Sequence, residues 1–328
     1  MSRSTTRPGV NEVSPYLQTL KATWIEVGDF DQALAFFTHA MQYDLISQGE
    51  QASEFKDLLG QDQKRTWAQL SGPGESTGQV VIFSGKARAN LPGFPRGWDS
   101  IEVVTSELDV AAARIKDFPG VVEVIPPFDA DFSEQHSNVH RSACWLMPWG
   151  NHVMLTQALS QPDGREFPHT SASVGRTFEM HLRTTEYERG RHLLLDILQM
   201  PRLMDIEVTA GPFHDGWRLS DDHLIRMVFC KSGGLGTGGG AIELQGHPAE
   251  KLHPQSGITR GTTPGGTALV TFSCKELAEV HARLVADGGF ELTEISMLQS
   301  GPFAGKGSFI LWGVENAALQ LIEEQLVI

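Results

Sequence analysis

The sequence predicts an α+β protein of four βαβββ modules, paired into two curved, mixed β-sheet barrels. Three observations predict it. A strand, an acidic turn and a helix recur four times along the chain. Two or three short alternating strands follow each recurrence. A stretch bearing Pro162, Gly164 and Pro168 breaks the series in its middle. Such self-similarity marks a repeat architecture, in which one unit cannot bury its apolar face alone and must pair with another.

The first module contains ATWIEVGDFDQALAFFTHAMQYDLI. Its alternating strand ends at Asp29, an acidic helix cap, and Ala33, Phe36, Phe37, Ala40 and Met41 follow at helical spacing. The pattern returns as SIEVVTSELDVAAARIKDF around Glu107, EMHLRTTEYERGRHLLLDILQM around Glu186 and LVTFSCKELAEVHARLVADGG around Glu276. The four acids lie 78, 79 and 90 residues apart. The closing strands are QVVIFSG, GNHVMLTQ, GAIELQG and NAALQLIEE. The modules therefore span about 17–88, 97–160, 175–248 and 264–326. A flexible N-terminus (1–16) precedes an N-terminal pair of modules (17–160) and a C-terminal pair (174–328), with a linker from Ser160 to Ser173.

Composition narrows the function. The 328 residues are 40% hydrophobic and 20% charged, ordinary for a chain that buries a core. The net charge of -14 repels phosphate backbones, so no nucleic-acid partner is expected. No run of 18 apolar residues is present, so no membrane span is expected, and MSRSTTRPGVNEVSPY lacks the apolar core of a secretion signal. Cys144, Cys230 and Cys274 stand alone without a CxxC pair, which argues against disulfides and zinc fingers and for a cytoplasmic setting. Cys230, within HLIRMVFCKS, reads as a buried strand residue.

Six glycines crowd the segment from Gly233 to Gly240. A phosphate loop places a strand before such a run and a helix after it. Here the strand AIELQ follows, and no GK[ST] ends the run, so no nucleotide is expected. The run reads as a hairpin that delivers Glu243, with Ile242 and Leu244 on the opposite face.

These strand–acid–helix units, with PWGNHVMLTQ and GGGAIELQG as closing strands, resemble the four-module form of the vicinal oxygen chelate superfamily over nearly the whole chain. That superfamily includes glyoxalases, extradiol dioxygenases and bleomycin-resistance proteins. The resemblance implies ligand positions on each first strand, about seven residues before the acid, and on each closing strand. They fall on Ala22, Ser100, Glu179 and Leu269, and on Val81, Met154, Glu243 and Gln320. The N-terminal half then reads as structural or at most substrate-facing. Extradiol dioxygenases carry iron on two histidines and a carboxylate. Glu179, Leu269 and Gln320 depart from that set, so iron-dependent ring cleavage is not expected. Glyoxalases use glutamate, glutamine and histidine, and Glu179, Glu243 and Gln320 resemble that set with one ligand short. This implies one divalent ion, Mg²⁺ or Mn²⁺, or Ni²⁺ or Zn²⁺ with a further ligand.

Strand alternation puts Glu179, His181 and Arg183 on one face. His181 is either the missing ligand or a base beside Glu179, and the plainer alternative is a polar stripe on a half-exposed strand. The expected catalytic residues are Glu243, Glu179 and His181, with Arg183, Gln320, Trp24 and His152 facing substrate. Arg183 is expected to pair with an anionic substrate or enolate. His152 shares a face with Met154, whereas His136 and His140 read as a surface loop. Trp24 and Trp145 are candidates for stacking on a flat substrate. The expected function is a small-molecule enzyme with carboxylate-assisted proton transfer (isomerase, lyase or ring-opening type) on an oxygenated substrate, aromatic or not. The alternative is a binding or resistance protein that sequesters an aromatic molecule. Two carboxylates facing one pocket favour the enzyme. A homodimer is implied by the resemblance.

Overall fold

The computed structural model describes residues 12–60, 64–87, 95–131, 139–160, 167–209, 211–217, 219–220, 222–252 and 265–324. His136 lies outside the described residues. The first module comprises β1 (Leu17–Val27), α1 (Phe30–Ala35), β2 (Asp44–Gly49), α2 (Ser53–Leu59), β3 (Trp67–Ser71) and β4 (Gln79–Ser84). The second has β5 (Gly97–Thr105), α3 (Leu108–Lys116), β6 (Val122–Asp131), β7 (Val139–Leu146) and β8 (His152–Ser160). The third has β9 (Val174–Thr184), α4 (Tyr187–Arg191), β10 (Arg202–Val208), α5 (Pro212–Gly216), β11 (Ile225–Lys231) and β12 (Ala241–Gly246). The fourth has β13 (Gly266–Cys274), α6 (Leu277–Asp287), β14 (Glu291–Leu292), β15 (Ser296–Met297), β16 (Gly307–Trp312) and β17 (Ala318–Glu323).

In every module the first strand lies parallel to the last: β1 with β4, β5 with β8, β9 with β12 and β13 with β17. The modules then join through their first strands, antiparallel, as β1 with β13 and β5 with β9. One sheet runs β14-β16-β17-β13-β1-β4-β3-β2 with β15 against β16, and the other β10-β11-β12-β9-β5-β8-β7-β6. Each sheet thus takes one module from each half of the chain, so the halves 17–160 and 174–328 are interleaved rather than separately paired. The physical reason is that every first strand presents an unpaired edge, and the repeat pattern alone does not choose which other module covers it. The segment before β9 helps to choose. The side chains of Thr105 and Ser106 donate to the carbonyls of Ser173 and Ala172, and Arg114 bonds the Ser173 hydroxyl, which docks this segment on the second module.

The end of the expected flexible N-terminus is anchored. Ser14 donates its backbone N–H to the Ser232 carbonyl at 2.7 Å, and the Tyr16 hydroxyl donates to Glu279 at 2.6 Å. The glycine run is also more than a hairpin, because it interlocks the two sheets. Gly233 N–H donates to the Gln18 carbonyl of β1, and Arg176 donates to the carbonyls of Leu235 and Gly239. A Cβ on Gly240 would come within 2.4 Å of the Leu20 Cβ, so only glycine allows this approach.

Helix and sheet faces share one large apolar core that includes Phe36, Phe37, Trp149, Met180, Leu182, Ile242 and Leu244. Trp145 is packed in this core and is fully buried, so it is not available to stack on a substrate. Burying each large apolar side chain contributes about 1.5–3 kcal/mol.

Candidate active site

The inner face of the β5–β9 sheet is polar because three strands alternate in register. On β9, Met180 and Leu182 enter the core, which turns Glu179, His181 and Arg183 the other way. On β12, Ile242 and Leu244 enter the same core and leave Glu243 and Gln245 on the opposite face. The parallel register sets Glu243 beside His181 and Gln245 beside Arg183, while β5 brings Glu102 opposite Glu179. Apolar walls flank this floor. Phe229 and Met227 stand next to Glu243 and Gln245, with Met204 and Ile206 beyond them. Ile125, Cys144 and Met154 cluster with Phe128 and Trp217 on the other side.

His181 Nε2 lies 3.1 Å from Glu102 Oε2 and 3.8 Å from Glu243 Oε2. Thr156 donates to the second oxygen of Glu102, and the Gln245 amide donates to Glu243. Glu102 and Glu243 are 6% exposed, Glu179 7% and His181 1%, so every charge here is costly unless compensated. Burial raises the Glu179 carboxyl well above its ordinary range, and Glu102 and Glu243 push it further up. Burial and the two neighbouring carboxylates thus disfavour the charged form of Glu179. Burial also pushes Glu102 up, but His181 and Thr156 outweigh it and hold this carboxyl below its usual value. Desolvation opposes protonation of His181, while Glu243 and Glu102 overcome it and raise its pKa.

A ligand atom each from Glu102, Glu179 and His181 lies within 4.8 Å of the others. Oε1 of Glu179 is buried without a hydrogen-bond partner. An unsatisfied buried carboxylate oxygen, next to a second carboxylate and an imidazole, is a donor set suited to a divalent cation. His181 Nδ1 is also buried without a partner, so packing rather than a second hydrogen bond holds the ring.

No family model matches the chain, and no curated protein matches it in sequence. Solved structures do match in shape. Glyoxalase I from Zea mays superposes with a TM-score of 0.59 at 16% identity, covering 93% of this chain and 92% of that one. A variant of the same maize protein gives 0.61 at 14% identity, covering 94% and 93%. A proposed dioxygenase from Bacillus subtilis subsp. subtilis str. 168 gives 0.59 at 13% identity, covering 94% and 86%. The chain has the vicinal oxygen chelate fold.

Within that fold, Glu179, His181 and Glu243 come together as the sequence suggests. Their fourth neighbour is Glu102, which the sequence reading missed. Counting seven residues back from Glu107 lands on Ser100, but β5 shifts register between Trp98 and Ile101, so Glu102 faces Glu179. The half read as structural thus supplies a carboxylate. One signal was available: Glu102 is the single charge within the apolar run IEVV.

Gln320 and Trp24 do not reach this site. Both are fully buried in the β1–β13 sheet, where Trp24 Nε1 donates to Thr271, Thr271 to Gln320 and Gln320 to Ser308. The cause is module pairing: β17 lies in one sheet and β9 in the other. Gln320 is therefore not a third ligand beside Glu179 and Glu243. Arg183 shares the site's face, but it is 2.7 Å from Asp99, donates to Gln245 and lies 4.5 Å over the Trp217 ring. Its charge is already compensated, so it is not an open anion clamp. His152 contacts Asp99 at 2.8 Å. His140 sits on β7, not in a surface loop, and stacks on Phe167.

Proposed function

We propose that this chain is a divalent-metal enzyme that moves a proton on a small oxygenated substrate. The observation that carries this reading is the buried group of Glu102, Glu179 and His181, with Glu243 beside it. Four ionisable groups held this close are expensive for stability and are seldom retained without a use. Glu102, Glu179 and His181 would hold the ion. When bound, it would supply Lewis-acid polarisation of a substrate oxygen. One imidazole with carboxylates suits Mn²⁺, Mg²⁺, Ni²⁺ or Zn²⁺ and differs from the two-histidine iron set of ring-cleaving enzymes.

The chain's own residues then divide the work. Glu243 is fixed by Gln245 and is placed to accept a proton from a carbon next to a carbonyl. Thr156 fixes Glu102 in the same way. The half-buried Met204, Ile206 and Phe229 favour a substrate with an apolar or aromatic end.

The test is metal analysis by mass spectrometry, with melting temperatures in Mn²⁺, Mg²⁺, Ni²⁺ and Zn²⁺. At about a hundred times its dissociation constant, a specific ion adds about 2.7 kcal/mol to stability. One equivalent of such an ion and a matching rise in melting temperature are expected. Stoichiometric iron with catechol cleavage, or no response to any ion, would overturn the reading.

A further inference from the structure

We propose that His152 is a second proton-transfer group of this site and that Asp99 is the residue that positions it. The proposal rests on the metal-enzyme reading for the presence of a substrate, and extends it to the kind of reaction. Three donors converge on one oxygen of Asp99, which is fully buried. Ser100 Oγ is 3.1 Å from Oδ2, His152 Nδ1 2.8 Å and Arg183 Nη1 2.7 Å. Such convergence needs Asp99 and Glu102 to serve the same side of β5, although their odd spacing would set them on opposite faces of a regular strand. The register shift between Trp98 and Ile101 makes this possible.

The consequence for His152 is a fixed tautomer. Nδ1 donates its proton to the carboxylate, so in the neutral ring Nε2 is the nitrogen that carries the lone pair. Asp99 is already balanced by Arg183, so it orients the ring and stabilises an imidazolium without taking the proton itself. Among the described residues the ring makes no other polar contact, and the side chain keeps 10% of its surface open. His152 shares a strand face with Met154, which stands beside Glu102. Two residues along a strand is about 6.6 Å, so His152 addresses a different atom of a substrate from the one that meets Glu243.

The step balances simply. A substrate hydroxyl gives its proton to Nε2, the electron pair stays on the oxygen, and the imidazolium later returns the proton to the product. Two proton acceptors at two positions suit a reaction that relocates a proton between neighbouring atoms of an α-hydroxycarbonyl compound. This favours an isomerase over a lyase or a ring-opening enzyme.

Acetohydroxamate tests this without turnover. It is neutral in solution and chelates through two oxygens after giving up a proton. Calorimetry on the full chain with Mn²⁺, in buffers of different protonation enthalpy, counts the protons released on binding. Wild type should release about one proton fewer than His152→Gln, because Nε2 retains it. Equal release from both would overturn the proposal. Glutamine keeps a donor to Asp99, and ¹⁵N NMR of the metal-free wild type gives a check that needs no variant. An imidazole protonated on Nδ1 is expected, and protonation on Nε2 overturns the assignment. Failure of Mn²⁺ itself to bind, read by paramagnetic resonance, would instead overturn the metal reading.

Discussion

The two sheets are made from the same module and enclose opposite interiors. In the β1–β13 sheet, Trp24 pairs with Leu269, and Phe55 from α2, Phe83, Trp67, Trp312 and Phe303 pack around it. Trp24 meets Phe55 edge-on, with ring centroids 5.9 Å apart. In the β5–β9 sheet, Glu102 pairs with Glu179, and His181 and Glu243 adjoin them. The polar groups of the first interior form a closed chain from Trp24 through Thr271 and Gln320 to Ser308. The second leaves Glu179 Oε1 without a partner. Equivalent strand positions thus serve packing where the polar side chains on the strands satisfy one another, and are available for ligands where a strand carboxylate oxygen is left over.

The largest effect should follow from Glu179→Gln or Glu102→Gln. Either should abolish the metal-dependent rise in melting temperature and lower turnover by about 10²-fold or more. The same assays on variants of the β1–β13 interior should change only stability. A metal response lost there and kept in Glu179→Gln would reverse the comparison.

Next in size is Glu54, on the helix that fills the first interior. It is fully buried, neither oxygen has a partner, and burial pushes its pKa up to about 8. A carboxyl raised in the folded state gives its full stability below the unfolded value and loses it as pH rises through the folded one. Stability should therefore fall between about pH 4.5 and pH 8, by roughly 5 kcal/mol at most. Glu54→Gln should flatten that part of the urea-denaturation profile. An unchanged slope would show that Glu54 is ionised at no cost.

Trp24→Ala should cost about 3–5 kcal/mol through the cavity it leaves, with Mn²⁺ binding retained. Denaturation and metal titration on one preparation separate the two effects. The smallest change is expected from Gln320→Met, which strands Thr271 and Ser308 and should cost about 1–3 kcal/mol. A lost metal response in Gln320→Met would restore Gln320 as a ligand.

Much of this architecture was legible in the sequence, because its carriers are local. Alternation on β9 and β12 announced which side chains share a face, and the acid at each helix start marked the module. Glu179, His181 and Glu243 were readable for that reason. What was not legible is non-local. Which first strand covers which edge decides that Gln320 lies away from Glu179 and that Glu102 lies against it. The shift in β5 is a matter of one residue, and no turn residue signals it. Arg183 looked like an anion clamp because Asp99, its partner, lies far away in sequence and two strands meet to join them.

Anomalous diffraction from crystals soaked in Mn²⁺ tests the central claim most directly, since it locates the ion without a substrate. The expected result is one strong peak between Glu102, Glu179 and His181, with Glu243 adjacent. A peak beside Gln320 inside the β1–β13 sheet, or no peak among these carboxylates at a concentration that raises the melting temperature, would contradict it.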